Sequence, residues 1–270
     1  MKVAYQGEPG AYSEEAGYGY FNNPQMVPQR SFDDVFTAVA SGECQSGLIP
    51  IENSLAGSIH QNYDLLLRHD LHIVGEYLLR VRHCLIGQPG TELSKINRVI
   101  SHPQALGQCA GYLRKKGIEP EPVYDTAGSV KMLKSSGENT TGAIASKIAA
   151  EIYEMQILEE GIEDNPENYT RFLEISTKPS KPSDDAKTSI VFTLQNVPGA
   201  LFKALSVFAL RDIDLTKIES RPLQGKAWEY LFYIDFIGAM GEEPAVKALD
   251  HLNEYALMMR ILGSYPRYHA

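Results

Sequence analysis

Apolar and polar positions along residues 1–175 switch repeatedly between two periods. Short apolar runs at Lys2–Tyr5, Ser46–Ile51, Leu71–Tyr77, Arg98–Ser101, Pro120–Tyr124, Gly142–Ala145 and Arg171–Ile175 read as strands. Tyr12–Phe21, Phe32–Ala40, Ser58–Leu67, Gln104–Lys115, Ala127–Lys134 and Lys147–Tyr153 carry helical spacing. The alternation predicts α/β layers with a largely parallel sheet. In such folds ligands sit where the carboxyl ends of strands run into helices. Polar loops at those places are therefore the first candidates for chemistry.

The texture changes at Thr177–Asp185, which is rich in Pro, Ser and charge and has no apolar period. It reads as an exposed linker. Beyond it the pattern predicts a strand at Thr188–Leu194, a turn at Asn196–Gly199 and a helix ending near Leu210. Strands at Ile213–Ser220 and Trp228–Ile237, a helix at Glu242–Tyr255 and a strand at Met258–Gly263 follow. This βαββαβ order is the split, ferredoxin-like layout. Large groups on both faces of 228–234 predict a sheet face left open and apolar in a lone chain, and hence pairing of two copies.

Composition narrows the function class. With 270 residues the chain can hold two domains. A net charge of −9 and the lack of a long basic run argue against a nucleic-acid footprint. Local arginines can still attract an anion. No apolar run approaches 18 residues, and Met1–Tyr5 opens straight into a strand pattern without a signal peptide. Cys44, Cys84 and Cys109 are too scattered for a disulfide framework. The expected setting is cytoplasmic, or the plastid stroma if a transit peptide was removed.

Five loops could carry chemistry. Gln6–Ser13 offers two glycines before a helix, so that Ala11, Tyr12 and Ser13 can approach an anion; the alternative is a plain strand–helix turn. Glu52, Asn53 and Ser54 present an acceptor, an amide and a hydroxyl at a strand end, or cap the next helix. Ser101-His102-Pro103-Gln104 leads to Gln108, and the two glutamines share a helical face, in a site or in solvent. Asp125–Ser129 reads as a capped helix start with small residues. Thr170 and Arg171 put a hydroxyl donor beside a fixed cation, with Arg171 able to clamp a carboxylate and Phe172 bordering or entering the core. No zinc spacing, Walker loop, Rossmann glycine triplet or Gly-x-Ser-x-Gly elbow is present, so the reading is a metal-free, cofactor-free reaction on a small polar substrate.

In this order, GEPGAYSE, PIENSLAGSIHQNYDLLLRHDLHIVGE, SHPQALGQC, YDTAGS and NYTRF resemble the prephenate dehydratase family. Residues 50–76 are especially similar to the plant arogenate dehydratases and their bacterial relatives. NVPGALFKAL and KIESRP resemble the ACT regulatory domain that follows the catalytic part in that family. The resemblance implies two α/β lobes around a cleft, similar to type II periplasmic binding proteins, at 1–77 plus 159–177 and at 78–158. A linker at 178–187 and a ferredoxin-like ACT domain at 188–270 complete the expectation.

The implied reaction is loss of CO2 and water from prephenate, giving phenylpyruvate, or from arogenate, giving phenylalanine. The resemblance makes Thr170 the acid and assigns Asn53, Ser101 and Gln108 to substrate binding or catalysis, with Gln104 a neighbour. Ala11, Tyr12, Ser13, Ser54, Arg171 and Phe172 complete the candidate set. It also implies phenylalanine binding at a subunit interface. Asn196, Pro198, Gly199, Ala200 and Leu201 match one ACT motif, and Glu219, Ser220, Arg221 and Pro222 the other. The implied assembly is a homodimer through ACT domains, doubled to a homotetramer, with no nucleic-acid or membrane partner. A non-catalytic sensor of aromatic or keto acids is the alternative from another class. Residue patterns alone do not choose between keto and amino substrate.

Overall fold

The first sheet begins with alternating strands and helices: β1 (Lys2–Gln6), α1 (Tyr12–Tyr20), β2 (Gln25–Gln29), α2 (Phe32–Ala40) and β3 (Ser46–Asn53). The short β4 (Gly57–Ser58), α3 (His60–Arg68) and β5 (His72–Arg80) follow. These belong to a computed structural model that describes residues 1–181, 183–223, 225 and 229–269. Local chemistry sets the element starts. At α2, Ser31 accepts the Asp34 N–H while the Asp34 carboxylate accepts the Ser31 N–H, which satisfies two donors a helix start otherwise leaves open. β1 pairs in parallel with β2 and β3.

The second sheet is built from β6 (Cys84–Gly87), β7 (Arg98–Ser101), α4 (Pro103–Gln108), α5 (Ala110–Lys116), β8 (Glu119–Pro122), α6 (Thr126–Ser136), β9 (Thr141–Ala145), α7 (Lys147–Ile152) and β10 (Gln156–Glu160). Its order is β10-β6-β9-β7-β8. Strand alternation feeds two cores. Ala143 and Ala145 pack with Val130 and Leu133, whereas Ile144 packs with Leu106 and Leu113. β6 is antiparallel to both β9 and β10, so this sheet is mixed rather than largely parallel. β11 (Tyr169–Ser176) then completes the first sheet, whose order is β2-β1-β3-β11-β5. Val3, Leu48, Leu79 and Phe172 form its core.

The last part contains β12 (Ala186–Leu194), α8 (Ala200–Ala209), β13 (Leu215–Pro222), β14 (Tyr230–Ile237), α9 (Glu243–Tyr255) and β15 (Ala256–Pro266). The antiparallel order β13-β14-β12-β15 is the predicted ferredoxin-like sheet. Trp228, the expected first residue of β14, lies outside the described residues, as does Pro182 of the linker. Ile190, Phe192, Ile234 and Phe236 pack on α8 and α9.

The expectation of an open apolar opposite face does not hold. Val191, Tyr233 and Tyr265 are buried in the single chain. Polar groups share that face. Lys187 pairs with Glu76 at 2.7 Å, and Ser189 donates to Asp235 at 2.6 Å. Segment 68–76 explains the burial, because Arg260 also donates to the His69 carbonyl at 2.8 Å. By contacts the chain divides into Met1–Leu67 with Tyr77–Phe172, and Arg68–Glu76 with Leu173–Ala270. β5 and β11 therefore each run from one unit into the other. Among the described residues no helix is long and apolar enough to cross a membrane.

Candidate active site

Within the first unit, loops at strand ends enclose a cavity of about 250 Å³. Gln6, Gly7, Ala11, Tyr12 and Ser13 come from the β1–α1 turn, and Asn53 from the end of β3. Val81 and His83 follow β5; His102, Gln104 and Gln108 belong to the start and face of α4. Asp125 and Thr126 begin α6, and Thr170 and Phe172 come from β11.

The direction of each hydrogen bond can be derived from Asn53. Its Oδ1 accepts the N–H groups of Leu55 and Ala56 at 3.1 and 2.9 Å, which fixes the amide's orientation. Nδ2 must then face Asn168 Oδ1 at 2.8 Å and Thr170 Oγ1 at 3.0 Å. An amide nitrogen only donates, so the Thr170 oxygen accepts and keeps its own proton for another partner. Asn168 Nδ2 in turn donates to Gln108 Oε1 at 3.1 Å. That oxygen also faces His83 Nε2 at 2.8 Å, so Nε2 carries the ring proton. His83 Nδ1 accordingly accepts the Tyr12 hydroxyl at 2.7 Å.

Electrostatics agree with these assignments. Burial lowers the His83 pKa from its ordinary value, against the opposing Gln108 hydrogen bond and the Glu163 charge, and favours the neutral ring. Burial, with Glu15 nearby, pushes the Tyr12 phenol well up, so it stays a donor. One polar chain thus links Tyr12, His83, Gln108, Asn168, Asn53 and Thr170. Gln108's own amide protons are used by no described residue.

Of the sequence-predicted residues, Thr170, Asn53, Gln108 and Tyr12 are joined in this network. Gln104, Phe172, Ala11, Tyr12 and Ser13 also line the cavity. Three candidates do not. Ser101 is fully buried and its hydroxyl donates to the Ile144 carbonyl at 2.6 Å. Ser54 donates to Glu167 O at 2.8 Å and accepts the Tyr169 N–H, pinning the loop before β11. Arg171 lies on the strand between Thr170 and Phe172, and the period of two turns it away. Its Nη1 sits 2.9 Å from Glu52 Oε1, and Arg171 does not line the cavity. Asn168 entered the sequence reading only as the first residue of NYTRF, and His83 was not singled out. The partners of His83 lie 25 and 71 residues away, beyond any local spacing rule.

In the second unit a cavity of about 290 Å³ is lined by Asn196, Val197, Gly199, Ala200, Leu201, Phe202, Tyr230 and Phe232, among others. Gly199, at φ +80°, starts α8 in a conformation that favours glycine. Pro198 lies in the same turn but does not line the cavity. Nor do Glu219, Ser220, Arg221 and Pro222 on β13, although Ser220 is paired with Phe232 and Pro222 with Tyr230. No group of three His, Cys, Asp or Glu is gathered as metal ligands among the described residues. All three cysteines are buried free thiols, and burial pushes Cys84 up to about 12.

The family model of prephenate dehydratase matches residues 3–180, and that of the ACT domain matches residues 188–253. The chain belongs to the prephenate dehydratase family. The Arabidopsis thaliana relative "Arogenate dehydratase/prephenate dehydratase 2, chloroplastic" is 50% identical over 277 residues, spanning 98% of this chain and 73% of its own. A solved prephenate dehydratase from Arthrobacter aurescens, in complex with L-Phe, superimposes with a TM-score of 0.91 at 30% identity, over 99% of this chain and 90% of its own. A second solved structure, described as a novel type of quorum-quenching acylase, superimposes at 0.94 with 35% identity, over 99% and 98%. The ACT match spans every residue that lines the second cavity.

Proposed function

We propose that this prephenate dehydratase family member removes CO2 and water in one step from prephenate or arogenate. The ring carboxylate leaves as CO2, and the electron pair of its carbon–carbon bond enters the ring. The hydroxyl on the opposite ring carbon departs with its bonding electron pair and becomes water by taking up a proton that solvent supplies. Aromatisation supplies the driving force, so orientation and help for the leaving oxygen are what the protein must add. The observation that carries this reading is the Asn53–Thr170 hydrogen bond of 3.0 Å, which leaves the Thr170 proton available to the cavity. A threonine hydroxyl is a weak acid. Its part is a hydrogen bond that strengthens as charge builds on the departing oxygen, polarised further by the Asn53 donor behind it.

Charge flow also explains why a cation is not needed at the ring carboxylate. That group loses its charge in the transition state. A fixed guanidinium there stabilises the ground state more than the transition state. Arg171 is instead held by Glu52. An acyl-transfer reading, by contrast, calls for a nucleophile paired with a base. Among the described cavity residues no serine or threonine hydroxyl donates to a histidine or carboxylate.

Thr170→Val tests the assignment. The expected loss in kcat is on the order of 10²-fold with a smaller change in KM, because the contact matters in the transition state. Near-normal kcat in a folded variant removes Thr170 from the mechanism. In the second unit, the cavity beside Gly199 suits phenylalanine: N–H groups of the turn for its carboxylate, and Leu201 and Phe232 for its ring. Binding there gives the end product control over the reaction.

A further inference from the structure

The charge of the catalytic cavity has a consequence for its substrate. Among its described lining residues there is no lysine or arginine, and one carboxylate, Asp125. Burial favours the neutral ring of His83. His83 carries its proton on Nε2, and His102 Nδ1 accepts the Gln104 N–H at 3.2 Å. Lys131, on α6, pairs with Glu8 at 2.9 Å, and Arg30 lines an adjoining cavity that Asp125 also borders. Asp125 caps α6 by accepting the Gly128 N–H on Oδ1. No described residue donates to its Oδ2.

Prephenate and arogenate bear the same carboxylates. They differ at one carbon of the side chain, a ketone in the first and an ammonium in the second. Neutral donors serve either carboxylate equally: the buried Ser13 hydroxyl, which has no described partner, and the Gln104 and Gln108 amides. The side-chain carbon is where a lining carboxylate discriminates. A keto acid brings only negative charge towards Asp125, whereas an amino acid brings a cation. We infer that Asp125 receives the substrate ammonium and makes the cavity select arogenate over prephenate. This inference rests on the dehydratase reading of the same cavity.

The test compares kcat/KM on purified arogenate and prephenate for the full-length protein, Asp125→Asn and Asp125→Ser. Asparagine and serine cap helices about as well as aspartate, so both variants keep the start of α6; melting curves verify it. The wild type is expected to favour arogenate. The arogenate-to-prephenate ratio of kcat/KM is expected to fall about tenfold or more in both variants, through a higher KM for arogenate, as for loss of one partly desolvated charge contact. A wild type that favours prephenate overturns the inference. So does a ratio unchanged within about twofold in folded variants, while the dehydratase reading survives. Turnover of neither compound by the wild type overturns both.

Discussion

At the scale of single residues, donor and acceptor direction organises the cavity more than charge does. Tyr12 holds the acceptor side of His83, and Gln108 holds its donor side. Tyr12→Phe keeps the ring and removes the donor, so the proton of His83 is no longer confined to Nε2. If it moves, a lone pair on Nε2 opposes the Gln108 oxygen, and the chain to Thr170 is broken at its centre. The expected outcome is a fall in kcat of about tenfold with KM little changed. Nitrogen NMR of the imidazole should show mixed tautomers in the variant and one in the parent. A single unchanged tautomer with lowered kcat assigns the loss to something else.

At the scale of elements, backbone approach decides what is tolerated. A Cβ on Gly263 of β15 lies 2.0 Å from the Ile73 carbonyl oxygen of β5, too close for any rotamer to relieve. Gly263→Ala is expected to cost about 3 kcal/mol or more, read as a lowered denaturant midpoint; a change under about 0.5 kcal/mol contradicts the close packing. Elements with a strong apolar period, such as α2, β3, β12 and α9, were legible in the sequence. The missed strands are β2, the two-residue β4, β6 and β10. β2 and β10 are sheet edges, and Pro28, Glu159 and Glu160 are the residue types that discourage pairing at an edge. The same residues erase the apolar alternation by which a strand is recognised. β6 has four residues, all buried, and so has no alternation to read. The break between α4 and α5 at Cys109, at φ −113° and ψ 13°, left no mark in composition. In the site, Thr170, Asn53 and Gln108 stood out through their motifs. The turning of Arg171 towards Glu52 depends on strand phase, which a boundary error of one residue reverses.

At the scale of the whole molecule, assembly and regulation should be measured together. A two-fold dimer through the ACT domains, doubled to a tetramer, remains the expected assembly, now argued from the apolar Ile218, Leu257 and Met258 exposed on the edge strands β13 and β15. Light scattering should report a dimer or tetramer at micromolar protein; a strict monomer inhibited cooperatively by phenylalanine contradicts it. Cutting after residue 177 is expected to abolish the phenylalanine response and also to lower the melting temperature. The fragment keeps residues 68–76 and 173–177 but loses the sheet they belong with, including Lys187 for the buried Glu76. A fragment that melts with the full chain refutes this. The division of β5 also bears on synthesis. Residues 68–76 leave the ribosome well before β15, the strand that carries Gly263 and Arg260. At 5–20 residues per second that interval is roughly ten seconds or more. During it, the growing polypeptide holds a piece of its regulatory half inside its catalytic half while the last strand that receives it is still unmade. Chimeras that exchange regulatory parts between relatives should therefore carry 68–76 along with the carboxyl-terminal region.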